Sequence, residues 1–276
     1  MQDTPVQTSA RVIAVVNQKG GVGKTTTAVN LAASIAAAER PVLLVDLDPQ
    51  ANASSAYGIA SPEAQLYNVL SGESTLPQVT VATELGHLQL VPAGPDLAGA
   101  EIELVSVEAR ETRLREALAE VLPYYDFVII DCPPSLSLLT LNALCAADSV
   151  LIPLQCEYYA LEGLARLQDT VDRVRESLHP DLQMEGIVLT MMDRRANLSR
   201  QVEDEVRSHF GEQVFATVIP RNVRLSEAPS HGKPILLYDI ASKGARAYLD
   251  LAGELMHKHP GAPRKPPALP PSHQAN

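Results

Sequence analysis

Seven short, uninterrupted apolar runs punctuate this chain: RVIAVV (11–16), PVLLVD (41–46), LQLVP (88–92), DFVIID (126–131), SVLIPL (149–154), EGIVLTMM (185–192) and VFATVI (214–219). They are rich in β-branched residues and do not alternate with polar ones, the pattern of strands buried on both faces. Longer amphipathic stretches separate them, and residues 25–38, 99–121, 161–178, 198–210 and 242–257 read as helices. In 99–121 the apolar stripe is Ile102, Val105, Leu114, Ala117, Leu118 and Val121. Strand–helix alternation of this kind predicts an α/β fold: a mostly parallel, twisted sheet covered by helices on both faces, with right-handed crossovers. No repeat of solenoid period is visible.

The 276 residues are 46% hydrophobic, enough for one substantial core. A single domain is expected over residues 11–257, preceded by a flexible polar arm (1–10). A disordered proline-rich tail (258–276) is expected to follow, because residues 260–276 hold six of the 21 prolines and cannot sustain a helix. Aromatics are only 4%, which argues against base-stacking platforms for single-stranded nucleic acid. Three cysteines (Cys132, Cys145, Cys156), none in a CxxC pair, read as buried small hydrophobes in a reducing cytosol. The first residues lack the apolar segment of a secretory signal, and no run approaches a membrane span, so a cytoplasmic location is expected.

The most informative stretch is NQKGGVGKTTT (17–27), which follows one predicted strand and opens a predicted helix. Glycines there permit positive φ and let backbone N–H groups close around phosphate oxygens, while the helix N-terminus adds partial positive charge. Lys24 can reach terminal phosphates and the Thr25 hydroxyl can ligate Mg²⁺. The strict GxxxxGK[ST] pattern fails at one position, where Gln18 replaces glycine, and a second lysine, Lys19, heads the loop.

KGGVGKT resembles the deviant Walker A motif of the ParA/MinD group of P-loop ATPases, a SIMIBI-type P-loop NTPase fold. LVDLDPQ (44–50), FVIIDCPPSL (127–136), QCEYYALEGL (155–164) and VIPRNVRLSEAPSHGKP (218–234) extend the resemblance, to the chromosomal ParA (Soj) proteins, over roughly residues 11–254. The resemblance implies ATP and Mg²⁺ as cofactors and slow ATP hydrolysis. It assigns ATP binding to Lys19, Gly20, Gly21, Val22, Gly23, Lys24, Thr25 and Thr26, with Pro220 and Asn222 at the adenine. Lys19 matches the signature lysine that crosses a dimer interface to the partner's ATP, supplying charge in the manner of an arginine finger.

Three aspartates end predicted strands beside this loop. Asp131 closes FVIID in the Walker B manner, an acid that holds Mg²⁺ directly or through water. Asp46 and Asp48 are two apart and share a face of an extended segment. By resemblance Asp46 lies on the metal side with Thr25 and Asp131. Asp48 positions the attacking water and joins Lys19 and Lys24 as catalytic, although which of the two aspartates does so stays open. Residues 135–142 resemble switch II. Met191 and Met192 fall near the base end or in the core.

The net charge of −11 excludes a uniformly basic nucleic-acid coat and a polybasic membrane anchor. The acid is uneven. Residues 1–189 carry 10 Lys/Arg against 24 Asp/Glu, whereas residues 190–250 carry 9 against 8. The candidate basic residues are Arg194, Arg195, Arg200, Arg221, Arg224, Lys233, Lys243 and Arg246. By resemblance, Arg195 and Arg224 contact DNA phosphates without reading sequence. The implied function is ATP-dependent chromosome or plasmid segregation. An ATP-bound homodimer holds nonspecific duplex DNA of the nucleoid, and a ParB-type (Spo0J-type) centromere-binding protein stimulates release. Two alternatives share the loop: a MinD-like membrane-positioning ATPase, and a small-molecule P-loop enzyme such as an amidoligase-type synthetase or an Fe-protein-like reductase. The first needs a basic amphipathic C-terminal helix, yet Leu269 is the only large apolar residue in the last 17, so no membrane partner is expected.

Overall fold

A computed structural model describes residues 10–267 apart from 61, 63, 158, 159, 262 and 266. Almost all of the expected N-terminal arm and the end of the expected tail therefore lie outside the described residues. All seven expected strands form: β1 (Arg11–Val15), β2 (Val42–Asp46), β4 (Leu88–Val91), β5 (Phe127–Asp131), β6 (Ser149–Gln155), β7 (Gln183–Met192) and β8 (Val214–Pro220). A further two-residue strand, β3 (Val81–Ala82), is too short to leave a pattern in the sequence. One sheet holds them in the order β3-β4-β2-β5-β1-β6-β7-β8. Every pairing is parallel except that of β3 with β4 at the edge.

Continuous hydrophobicity in the seven expected strands has the expected cause, since each of them feeds two cores. In β1, Val12 and Ala14 enter one core and Ile13 and Val15 the other. The helices Leu138–Ala146, Ala160–Ser177 and Asn197–Phe210 cover the first face. The second is covered by Lys24–Ala37 and Lys243–Lys258, which pack together. The three cysteines are free and buried.

One helix departs from expectation. Residues 99–121 do not form one amphipathic helix but a series: Leu97–Glu103, two 3₁₀ turns (Leu104–Ser106 and Arg110–Thr112), and Arg113–Ala119. Ala109 takes a left-handed φ of 55°, and Asn142 fills the break, donating to Arg110 O (2.8 Å) and accepting from Leu114 N (3.1 Å). Backbone groups freed by the break thus find a buried side-chain partner. Leu114, Leu118 and Val121 are buried as expected, but Ile102 (78% exposed) and Val105 (58%) face outward.

The start of the expected tail lies along the body. Arg264 Nη1 donates to Leu122 O (3.2 Å) and Tyr125 O (2.5 Å), and its Nε is 3.8 Å from Asp126. Pro267 O accepts from Gln89 Nε2 (3.2 Å), and Gln89 in turn accepts the Tyr125 hydroxyl.

The sheet order sets the functional end. β1 lies between β5 and β6, so the chain leaving β1 goes one way to β2 and the chain leaving β5 passes over it to β6. Open α/β sheets leave a crevice beyond the strand C-termini at such a reversal. Residues 16–23 and Asp131 emerge there.

Candidate functional site

The loop after β1 turns through Gly21 (φ 74°) and Gly23 (φ 92°), both in the left-handed region that a side chain disfavours. The helix Lys24–Ala37 then starts with no side-chain cap and no acid in its first turn. Its leading N–H groups are thus left for an external acceptor, with no acid of its own first turn competing for the positive helix end. The loop is braced from both sides. Asn17 donates to Pro153 O on β6 (2.8 Å) and accepts from Lys19 N (3.0 Å), while Thr190 on β7 donates to Val22 O (2.8 Å).

Lys24 is largely buried, and its ammonium sits inside the loop, donating to Lys19 O at 3.2 Å. Burial lowers its pKa, opposed by Asp131 and Asp48. Lys19 is half exposed, and its ammonium reaches outward to Glu157 Oε2 at 2.7 Å.

Asp46 and Asp131 are register partners at the ends of β2 and β5. Asp46 is bonded at both oxygens: Oδ2 accepts from Ser54 N and Ser54 Oγ, both 2.7 Å, and Oδ1 accepts from Asp48 N at 3.3 Å. Burial still raises its pKa to about 6, offset in part by Ser54. Asp131 is fully buried, and neither carboxylate oxygen has a hydrogen-bond partner of good geometry among the described residues. Burial first, then Asp46, push its pKa well above the ordinary value, with the nearby Thr25 hydroxyl opposing them. Asp48, also buried, accepts from Gln50 N (2.9 Å) and turns the chain out of β2.

A buried carboxylate with no well-formed hydrogen bond among the described residues, beside a hydroxyl and an ammonium, is the arrangement a hard cation satisfies. No group of three or more His, Cys, Asp or Glu poised for a metal occurs among the described residues. Mg²⁺ takes one or two protein oxygens and fills its shell with water and phosphate. Thr25 and Asp131 fit this role. Asp46, expected beside them, has both oxygens committed to Ser54 and Asp48.

At the other end of the loop, a cavity of about 320 Å³ is lined by Gly23, Thr26, Thr190, Met191, Pro220 and Asn222, among others. Tyr248 closes it and meets the Thr27 hydroxyl at 3.2 Å. Met191 lines the cavity with a strained φ of 51°, whereas Met192 is in the core. Pro220 and Asn222 are therefore brought to the loop as expected, although Asn222 Oδ1 also caps the helix Val223–Glu227 by accepting from Arg224 N.

Beyond Pro220 opens a groove of about 740 Å³, lined by Arg194, Arg195, Arg221, Lys243 and Arg246, with only Asp193 and Asp250 as acids. Arg195 and Arg224 do not share it. Arg224 points elsewhere and pairs with Glu227 (2.9 Å) and Asp239 (3.5 Å).

Sequence reasoning missed Ser54, Glu157, Thr190 and Tyr248. Each meets its partner across the fold, apart from Ser54, which sits only eight residues from Asp46. A serine after an Asp-x-Asp turn is a weak signal in isolation.

A family profile described as an AAA domain matches residues 10–184. The chromosome partitioning protein ParA of Myxococcus xanthus is 60% identical over 261 residues, covering 94% of this chain and 92% of that protein. The sporulation initiation inhibitor protein Soj of Bacillus subtilis is 57% identical, over 89% and 98%. Among solved structures, cobyrinic acid a,c-diamide synthase from Mycobacterium smegmatis, with bound ATP analog and magnesium, superposes with a TM-score of 0.80 at 38% identity, over 94% of this chain and all of that one. On this likeness and the P-loop geometry, the chain belongs to the ParA/Soj family of chromosome-partitioning proteins.

Proposed function

We propose that this protein is a chromosome- or plasmid-partitioning ATPase. It pairs with a second copy around Mg-ATP, holds duplex DNA without reading its sequence, and lets go after slow hydrolysis stimulated by a ParB-type partner. Its place is then the nucleoid. The observation that carries the reading is the bare, buried carboxylate of Asp131, facing the uncapped helix end beside Lys24 and Thr25.

Each residue has a chemical part. The backbone of Gly20, Gly21, Val22 and Gly23, with Lys24, Thr25 and Thr26, binds the phosphates. Pro220 and Asn222 border the purine, next to Met191. Asp131 and Thr25 hold Mg²⁺, which when bound screens charge on phosphate oxygens. Asp46 braces the following turn through Ser54 and keeps Asp131 charge-crowded. Asp48 orients the attacking water and accepts its hydrogen bond. Lys19 acts on the nucleotide of the second copy, where its ammonium stabilises charge in the transition state.

The groove with five cations supports the DNA reading. One subunit offers few phosphate contacts against an acidic body, while a pair doubles them, so nucleotide state and DNA affinity become coupled by multivalency. Arg195 lines that groove. Arg224 would have to leave Glu227 and Asp239 to join it.

The 38% identical synthase favours a second reading, a small-molecule enzyme on the same fold. The two separate on duplex-DNA binding measured with ATP, with ADP and without nucleotide. Expected is binding with ATP only, with a log–log salt slope near about −3.6 if roughly four arginines per pair neutralise phosphates. In Arg195→Ala the slope is expected to fall by about 1.8. Equal binding with ADP, or none at all, would overturn the proposal.

A further inference from the structure

Glu157 belongs to none of the roles above, yet it holds Lys19, the residue proposed to reach the second copy's nucleotide. Lys19 Nζ lies 2.7 Å from Glu157 Oε2 within the same subunit, across 138 residues of sequence. Both partners are anchored to the end of one strand. Lys19 N is bound to Asn17, whose amide donates to Pro153 O on β6. Glu157 follows β6 directly: its N–H donates to Gln155 O (2.8 Å), the Gln155 side chain donates to its second carboxylate oxygen, and its own carbonyl accepts from Ala160 N (2.9 Å). The backbones of both partners are thus tied to the end of β6, which sets the distance between them.

We propose that Glu157 is a positioning residue, a latch that keeps Lys19 on its own subunit and must release it when two ATP-bound copies pair. This rests on the reading of Lys19 as acting on the second copy's nucleotide. An ammonium bound to a carboxylate beside its own loop has to leave it to reach phosphoryl oxygens in another subunit. The latch therefore disfavours pairing, and the phosphate charge of bound nucleotide is the competing acceptor.

The strength of the latch follows from its exposure. Each side chain keeps 47% of its accessible surface, so water and salt screen the attraction. Pairs of this kind are worth about 1.5- to 5-fold in an equilibrium constant. A symmetric pair of subunits opens two latches, so the factor enters twice, and the dimer dissociation constant carries a penalty of about 2- to 25-fold. That is small enough for two nucleotides to overcome and large enough to matter near the threshold concentration.

The test uses the full chain with Mg²⁺ and a non-hydrolysable ATP analogue, with the monomer–dimer equilibrium followed by sedimentation. Glu157→Gln keeps the shape and an acceptor for Gln155 but removes the charge, and Glu157→Ala is the second variant. Both are expected to tighten the dimer by about 2- to 25-fold at low salt, with the advantage over wild type shrinking as salt screens the latch. In a Lys19→Ala background the same substitutions are expected to change nothing, which a purely structural role would not produce. If Lys19→Ala pairs poorly but both Glu157 variants pair no better than wild type, the latch is wrong and the role of Lys19 stands. If Lys19→Ala pairs as well as wild type, the role of Lys19 falls and the latch with it.

Discussion

Asp46 and Asp131 sit side by side at the ends of adjacent strands, fully buried, yet among the described residues Asp46 has both oxygens hydrogen-bonded and Asp131 has no hydrogen bond of good geometry. Two carboxylates with one set of donors divide into one that the chain holds and one left open, as the proposed Mg²⁺ role of Asp131 requires. The spacing of the acids in the sequence does not show this asymmetry.

Replacing Asp131 tests that division. Asp131→Asn removes a buried charge crowded by Asp46, so the nucleotide-free protein should be stabilised by about 1–2 kcal/mol. For a domain of this size the melting temperature rises by roughly 2–8 °C. The further stabilisation by Mg-ATP should be largely lost. Thermal unfolding with and without Mg-ATP reads both effects, and a variant less stable without nucleotide would count against the bare-carboxylate account.

Ser54 carries the other half. Its hydroxyl donates to Asp46 (2.7 Å) and accepts from Ala93 N (3.0 Å) in a fully buried setting. Ser54→Ala leaves both partners short of a bond, and the expected loss is about 2–3 kcal/mol in urea unfolding. A loss below about 0.5 kcal/mol would mean that water replaces the hydroxyl.

Asp48→Ala leaves the loop amides and Lys24 in place, so ATP binding should persist. Turnover should fall by about 10²-fold or more if Asp48 is the group that orients water, as proposed. Phosphate release measured beside nucleotide binding decides the matter, because unchanged turnover would move that role to another residue.

Glu185 supplies the pH dependence, far from the nucleotide end. Burial would raise its pKa, but His259 (2.8 Å), Ser149 (2.7 Å) and Arg11 (3.1 Å) outweigh burial and hold it at about 2, against an ordinary 4.5. A folded-state value below the unfolded one contributes stability that is complete above the unfolded pKa and is lost as pH falls through the folded one. The contribution is on the order of 3 kcal/mol near neutrality, lost between about pH 4.5 and pH 2. Unfolding free energies of wild type and Glu185→Gln, compared from pH 7 to pH 2, should converge toward acid; a gap independent of pH would assign the effect to packing.

Arg264 gives a stability prediction without a functional one. Arg264→Ala removes donors from Leu122 O and Tyr125 O, while Asp126 keeps Arg40. The expected cost is about 1–2 kcal/mol in thermal unfolding, with ATP affinity unchanged. A change in ATP affinity would mean that the segment reaches the nucleotide end.

The sheet and the phosphate loop were legible because their signals are local. Continuous apolar runs report two-sided burial, and the Gly-Lys-Thr stretch carries its own conformational and chemical requirements. The break in residues 99–121 was not legible, because Asn142 pays for it from another helix. Nor did the pattern show that Ile102 and Val105 face outward, since a periodic stripe does not reveal where a helix stops.

Local chemistry in the sequence alone determined the strand–helix order, the anion-binding loop and the presence of three acids near it. Which acid is bare, that Lys19 is held by Glu157, and that Arg195 lies in a cationic groove while Arg224 does not, were decided by tertiary structure. The physical reason is that hydrogen bonding and burial are properties of neighbours, and the strand order makes neighbours of residues that the chain keeps far apart.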